Sequence, residues 1–308
     1  MKDFLATILL ATDGSENAAS AIRAAVDLTD RTGANLHMIH VRQDSPVMFP
    51  APIRILKSGL PTEKAARLME EQVGRVRDAG GGVAGSHLRT GRPAREISSL
   101  ARELDADLVV VGTREAGTAE RLVAGSVSEE VARSAPCPTL VVRGGEKTWP
   151  PRGVVVGDDL SHEAERAGEL AAGIGGLFGV PISLVLGFPS PGVPRHADAS
   201  RIQISREMFG EGGELLRRRA LRLQDITRER PSIEVSAGDA ATIIRNAARE
   251  GGGPTLVAVG SRGLDALRRL AVGSVSTDVL RTADGPVLVF PFTARDERII
   301  EEGALSNA

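Results

Sequence analysis

One cysteine in 308 residues excludes a disulfide framework and every metal site built from several thiolates, and it suits a reducing compartment. The chain has no tyrosine, one tryptophan and seven phenylalanines, too few aromatics for the stacking platforms that hold single-stranded nucleic acid. Charge of one sign is missing too. Lys and Arg number 38 against 40 Asp and Glu, a formal net charge of −2, so no global field attracts nucleic acid or an anionic membrane. No apolar run approaches the length of a membrane span. The first residues, MKDFLATILLATDGS, hold one lysine, an acid and a short apolar run ending at Asp13, too short and too weakly basic for a signal peptide. These absences predict a soluble, cytoplasmic protein with neither nucleic acid nor membrane as a partner.

What is present is ordinary for a folded chain, 42% apolar and 25% charged, and the length is that of two domains. An internal repeat accounts for both. ILLATDGSENAASAI from Ile8 matches VVVGDDLSHEAERAG from Val154, a spacing of 146. TGRPAREI from Thr90 matches AGDAATII from Ala237 at 147, and LVVVGTREAGTAERLVAGSVSEEVARSAPCPTLVV from Leu108 matches LVAVGSRGLDALRRLAVGSVSTDVLRTADGPVLVF from Leu256 at 148. Single-residue drifts of this kind are what surface-loop insertions leave.

Each copy carries short Val, Ile and Leu runs without apolar/polar alternation (4–11, 107–112 and 138–142; 153–157, 255–260 and 286–290). Such strands are buried on both faces, as in a parallel sheet covered by helices. Helical spacing fills the intervals (15–32, 61–79, 93–104; 161–177, 207–229, 240–250), and Ser15 and Ser161 stand at N-cap positions. The expected fold is α/β: two tandem doubly wound five-stranded parallel sheets with flanking helices. RGGEKTWPPR from Arg143 marks the junction, giving domains at 1–146 and 150–293 and a tail at 294–308. Proline-bearing loops at about 42–60 and 188–206 follow the second strand of each copy, at the edge where open α/β sheets bind ligands.

The chemistry concentrates after the first and fourth strands. In the second copy, G-S-R-G, nine residues and G-S place Gly260, Gly263, Gly273 and Ser274 around a turn and a helix start. Glycines let backbone N–H groups approach phosphate oxygens, and a helix N-terminus adds its positive dipole end. By themselves they fit a phosphate cradle or a plain turn equally well. Asp13 and Asp159 end the first strands, where a carboxylate can accept from a ribose hydroxyl or an adenine amine, or simply close a turn. The combination, repeated in matching order, is more specific than either part.

ATDGS and GDDLS, GSRG-x9-GSVS (Gly260 to Ser276), its partner GTRE-x9-GSVS (Gly112 to Ser128) and the PCPTLVV and GPVLVF strands together resemble the universal stress protein family in its tandem form. The spacing resembles that of the ATP-binding branch. The resemblance implies a stress-response protein that binds ATP, with Mg or Mn on the phosphates, and acts as a nucleotide-dependent switch or sensor. It implies an adenine-nucleotide α-hydrolase-like fold, with the copies related by a pseudo-two-fold and paired through their last strands as an intramolecular pseudo-dimer, further homo-oligomerisation being open. The implied ligand residues are Asp159, Gly187, Gly260, Gly263, Gly273, Ser274 and Ser276 in the second copy. In the first they are Asp13, Val41, Gly112, Gly125 and Ser126, where Glu115 replaces the second glycine and sets a carboxylate toward the phosphates. The first site is therefore expected to be weak or empty. A slow ATPase or nucleotide hydrolase is the alternative from another class, and a structural pseudo-dimer with vestigial sites is the third.

Other signals point to structure. GGGVAG (Gly80 to Gly85) lies between a helix and a strand, the reverse of the dinucleotide order, and reads as a turn. No P-loop and no G-x-S-x-G occurs. His37 and His40 fall on opposite faces of a strand. Cys137 reads as a packed thiol, and LLRRRALRLQ from Leu215 as an amphipathic helix with a solvated arginine face.

Overall fold

A computed structural model describes residues 4–15, 18–43, 45–46, 57–58, 62–113, 126–143, 145–188, 206–261 and 273–292. The chain divides into two compact units, Met1–Glu146 and Lys147–Ala308.

In unit 1 the order is β1 (Thr7–Ala11), α1 (Ala18–Thr32), β2 (Asn35–Arg42), α2 (Thr62–Asp78), β3 (Gly85–Thr90), α3 (Pro93–Glu103), β4 (Leu108–Gly112), α4 (Ser126–Ser134) and β5 (Thr139–Val142). Unit 2 repeats it: β6 (Gly153–Gly157), α5 (His162–Phe178), β7 (Ile182–Phe188), α6 (Arg206–Thr227), β8 (Ser232–Ala237), α7 (Ala240–Glu250), β9 (Thr255–Gly260), α8 (Ser274–Thr282) and β10 (Val287–Phe290). Every pairing among these strands within a unit is parallel, in the order β3-β2-β1-β4-β5 and β8-β7-β6-β9-β10. The strand order changes direction between β1 and β4, and between β6 and β9. In a doubly wound sheet, ligands bind outside the carboxyl ends of the strands at such a switch point.

The strands are continuous apolar runs because both faces are covered. Leu108 to Val111 and Leu256 to Val259 are buried without alternation. In unit 2, α5 packs on β6, β9 and β10 and against α6, while α7 packs on β6, β7 and β9 and beside α8. The outermost strand β3 alternates half-buried and exposed residues, as a strand with one open face does. Its weak apolar content is why no run in the sequence marks it.

Helix starts follow local chemistry. Ser161 Oγ accepts from Ala164 N at 3.2 Å and caps α5 as its position predicts. Ser15 holds the matching place, its carbonyl accepting from Ala18 N at 3.2 Å, but residues 16–17 between it and α1 lie outside the described residues. Asp239 accepts from Thr242 N at 2.9 Å and caps α7, whereas α3 starts at Arg92 with no side-chain cap and uses Pro93 in its first turn. Asp239→Ala should therefore cost unit 2 about 1 kcal/mol, measured by denaturant unfolding, while Arg92→Ala costs almost nothing. No helix among the described residues is long and apolar enough to cross a membrane.

Candidate functional site

The chain leaving β6 forms a tight turn at the switch point. Asp159, half-buried, accepts from Ser161 N through Oδ1 at 3.0 Å, closing an Asx turn that leads into α5. Between them Leu160 sits at φ +68, a left-handed conformation that a branched side chain adopts only under constraint. The constraint comes from Asp158 and Arg219. Leu160 N donates to Asp158 Oδ1 at 2.7 Å. Arg219 reaches in from α6, pairs with the same carboxylate oxygen, and donates to Leu160 O at 3.0 Å and Ser161 O at 2.8 Å. The side chains of Asp158 and Arg219 are only 1% and 5% exposed. Burial pushes the Asp158 carboxyl above its usual range, and the Arg219 guanidinium pulls it partly back.

The glycines at the strand ends have packing reasons. A Cβ on Gly260 would lie 2.8 Å from Glu163 Cβ and 3.0 Å from Ala164 N, so the first turn of α5 rests directly on the end of β9. A Cβ on Gly187 would lie 2.7 Å from Ala240 Cα, where α7 starts. Both positions let a helix N-terminus approach the ligand edge of the sheet.

Residues 262–272, with Gly263, lie outside the described residues, but the two ends of that segment are tied together. Gly273 N donates to Ser261 O at 2.6 Å, and the buried Ser276 hydroxyl lies 3.0 Å from Gly273 O and 3.3 Å from Ser261 O. Ser261 Oγ in turn accepts from Phe292 N at 2.8 Å. Ser276 thus holds the start of α8 against the end of β9. Gly273 is the N-cap of α8 and supplies no side-chain cap, and Ser274, the first helical residue, is exposed. The N-cap side chain thus takes up none of the first N–H groups of α8, which start at the edge where Gly260 ends β9 and, one strand over, Asp159 follows β6.

Unit 1 has the same turn built differently. Asp13 accepts from Ser15 N at 2.9 Å and is exposed, and Gly14, at φ +79, takes the place of Leu160. Thr12 replaces Asp158 and donates to Gln72 Oε1 at 3.1 Å, the residue on α2 that replaces Arg219. Val41 lies near the end of β2, Gly112 ends β4 and Ser126 starts α4. Gly125 and Glu115 lie outside the described residues.

A model of the universal stress protein family matches residues 5–143 and again 151–291. The chain belongs to that family. A universal stress protein of Thermus aquaticus, from the 3' region of a sulfhydrylase gene, is 35% identical over 142 residues, covering 44% of this chain and 98% of its own. The crystal structure of a universal stress protein from Archaeoglobus fulgidus covers 96% of this chain and 100% of its own at 20% identity, with a TM-score of 0.67, and shares the fold. A further universal stress protein, solved in complex with cAMP, covers 46% of this chain at 26% identity with a TM-score of 0.37; the nucleotide is stated for that protein alone.

This member of the universal stress protein family also departs from what its sequence suggests. The arginine face of α6 is not all solvated. Arg217 and Arg218 pair with Glu214 and Arg222 with Glu165, but Arg219 is buried. Helical spacing places arginines on one face without showing which one the turn after β6 will cover. The signal that finds it is the repeat itself, in which Thr12 and Gln72 answer to Asp158 and Arg219. Cys137 is a buried thiol with its pKa pushed up to about 12 by burial, as a packed cysteine should be. His37 Nδ1 lies 3.2 Å from His87 Nε2 on β3, while His40 Nδ1 lies 2.9 Å from Thr12 O. Among the described residues no three His, Cys, Asp or Glu side chains gather as a metal site.

Proposed function

We propose that the carboxyl edge of unit 2 binds an adenine nucleotide, ATP with Mg or Mn on its phosphates, and that occupancy makes the protein a nucleotide-dependent switch or sensor. The observation that carries this reading is the meeting, at one switch point, of the Asp159 turn, the end of β9 and an α8 N-terminus without a side-chain cap. Helix N–H groups that no cap side chain takes up, and the positive dipole end, favour phosphate there. Gly260, Gly263, Gly273 and Ser274 would line the phosphate side. Asp159 spends Oδ1 on Ser161 N, and a carboxylate keeps further lone pairs for a ribose hydroxyl or adenine amine near Gly187. With no acidic or histidine cluster among the described residues, the phosphates themselves would supply most ligands to the cation.

Isothermal titration of nucleotide-free protein with ATP should find one tight site per chain. Gly273→Val puts a branched side chain among the α8 donors and should weaken ATP about ten- to a hundred-fold, the loss of one charge-assisted hydrogen bond. Glu115→Gly should add or tighten a second site. Two equivalent tight sites in the unmodified protein, or unchanged affinity in folded Gly273→Val, would overturn the reading.

A further inference from the structure

We infer that Asp158 and Arg219 form a clamp that positions the Asp159 turn of unit 2 for its ligand, and that Arg219 is a positioning residue absent from unit 1. The ligand half of this inference rests on the nucleotide reading above; the clamp rests on geometry alone. Among the positions that differ between the repeats at this turn, three touch one another. Gly14 becomes Leu160, Thr12 becomes Asp158, and Gln72 becomes Arg219.

Physical chemistry links the three. In unit 1 glycine takes φ +79 freely; Thr12 accepts from Gly14 N at 3.2 Å and donates to Gln72 at 3.1 Å. The cation that reaches the turn from α2, Arg75, makes one exposed contact with Ser15 O at 3.4 Å, with no buried carboxylate beside it among the described residues. In unit 2 a leucine holds φ +68, which its side chain resists. The turn survives because its polar groups are gripped from both sides. Asp158 Oδ1 takes Leu160 N, and Arg219 takes Leu160 O, Ser161 O and Asp158 itself. A planar guanidinium makes this possible, since it presents several donors in fixed directions. Arg219 also lies 3.7 Å from Glu165 in the first turn of α5, whose other carboxylate oxygen pairs with Arg222. One buried cation therefore couples the end of β6, the turn, α5 and α6. Strain held by surrounding structure is characteristic of sites that must keep one geometry. Here the residue kept in place is Asp159, which lies between Asp158 and the strained Leu160.

The test is to give unit 2 the first copy's residues in the full-length protein. Asp158→Thr with Arg219→Gln removes both charges and leaves no unpaired ion. Amide hydrogen exchange of residues 158–163 should speed up at least about tenfold, with ATP affinity falling by about tenfold, while the global unfolding midpoint moves little. Adding Leu160→Gly to that double variant should restore slow exchange and most of the affinity, because glycine needs no clamp. If the double variant does not fold, Arg219→Lys serves instead: one ammonium cannot grip the carboxylate and both carbonyls, and exchange at the turn should still quicken. Unchanged turn exchange in a folded variant would overturn the clamp whatever ATP does. Quickened exchange with unchanged ATP affinity would overturn the positioning role. A wild-type protein that binds no ATP would remove the ligand reading, and turn exchange would still decide whether the clamp exists.

Discussion

Arg219→Gln made alone is expected to lower the stability of unit 2 by about 3–5 kcal/mol, because it strands a carboxylate whose side chain is 1% exposed. The loss is that of an unpaired buried charge, not the worth of the ion pair, so the paired replacement Asp158→Thr with Arg219→Gln should recover most of it. The single variant also carries a pH signature. The Asp158 carboxyl is already raised by burial in the intact protein, and removing the guanidinium raises it further. A raised acid binds its proton more tightly in the folded state, so its penalty is absent below the unfolded pKa and grows as pH climbs through the folded one. The stability gap between Arg219→Gln and the parent should therefore be narrow near pH 4 and widen toward neutrality. Denaturant unfolding at several pH values measures it, and a gap that narrows toward neutrality would contradict an ionised buried pair.

Gly260→Val should be the second large effect, and it should appear in folding before it appears in binding. The motif makes Gly260 a candidate for a phosphate cradle, and a binding role alone would let its substitution spare the fold. The structure corrects the second half of that expectation. With a Cβ position 2.8 Å from Glu163 Cβ and 3.0 Å from a backbone nitrogen, the added side chain must push α5 off the sheet. Overpacking of this kind costs about 1–3 kcal/mol, or roughly 2–4 °C of unfolding temperature per kcal/mol in a domain of this size. Gly273 is half-buried and caps α8 at φ −58, a conformation open to any residue, so replacing it costs what a helix loses with its N-cap. Thermal unfolding should thus separate the two glycines, with Gly260→Val shifted down further than Gly273→Val. A Gly260→Val protein as stable as the parent would show that α5 can yield at no cost.

The repeat, the parallel sheets and the placement of both aspartates at the strand ends were determined by the sequence alone. These features depend on local and periodic information: apolar runs without alternation, an Asp and a Ser at fixed offsets, and a spacing that recurs near 147. Cys137 and the GGGVAG turn were legible for the same reason, since each is decided by its immediate neighbours. The outer strand β3 was not, because a strand covered on one face carries half the apolar signal. Only the tertiary structure decided that Gly187 and Gly260 make way for helices, that Ser276 ties α8 to the end of β9, and that Arg219 is buried. Each of these depends on a contact between residues far apart in the chain. Arg219 lies 61 positions from the carboxylate it pairs with, and nothing in a run of three arginines marks the one that a strained turn will enclose.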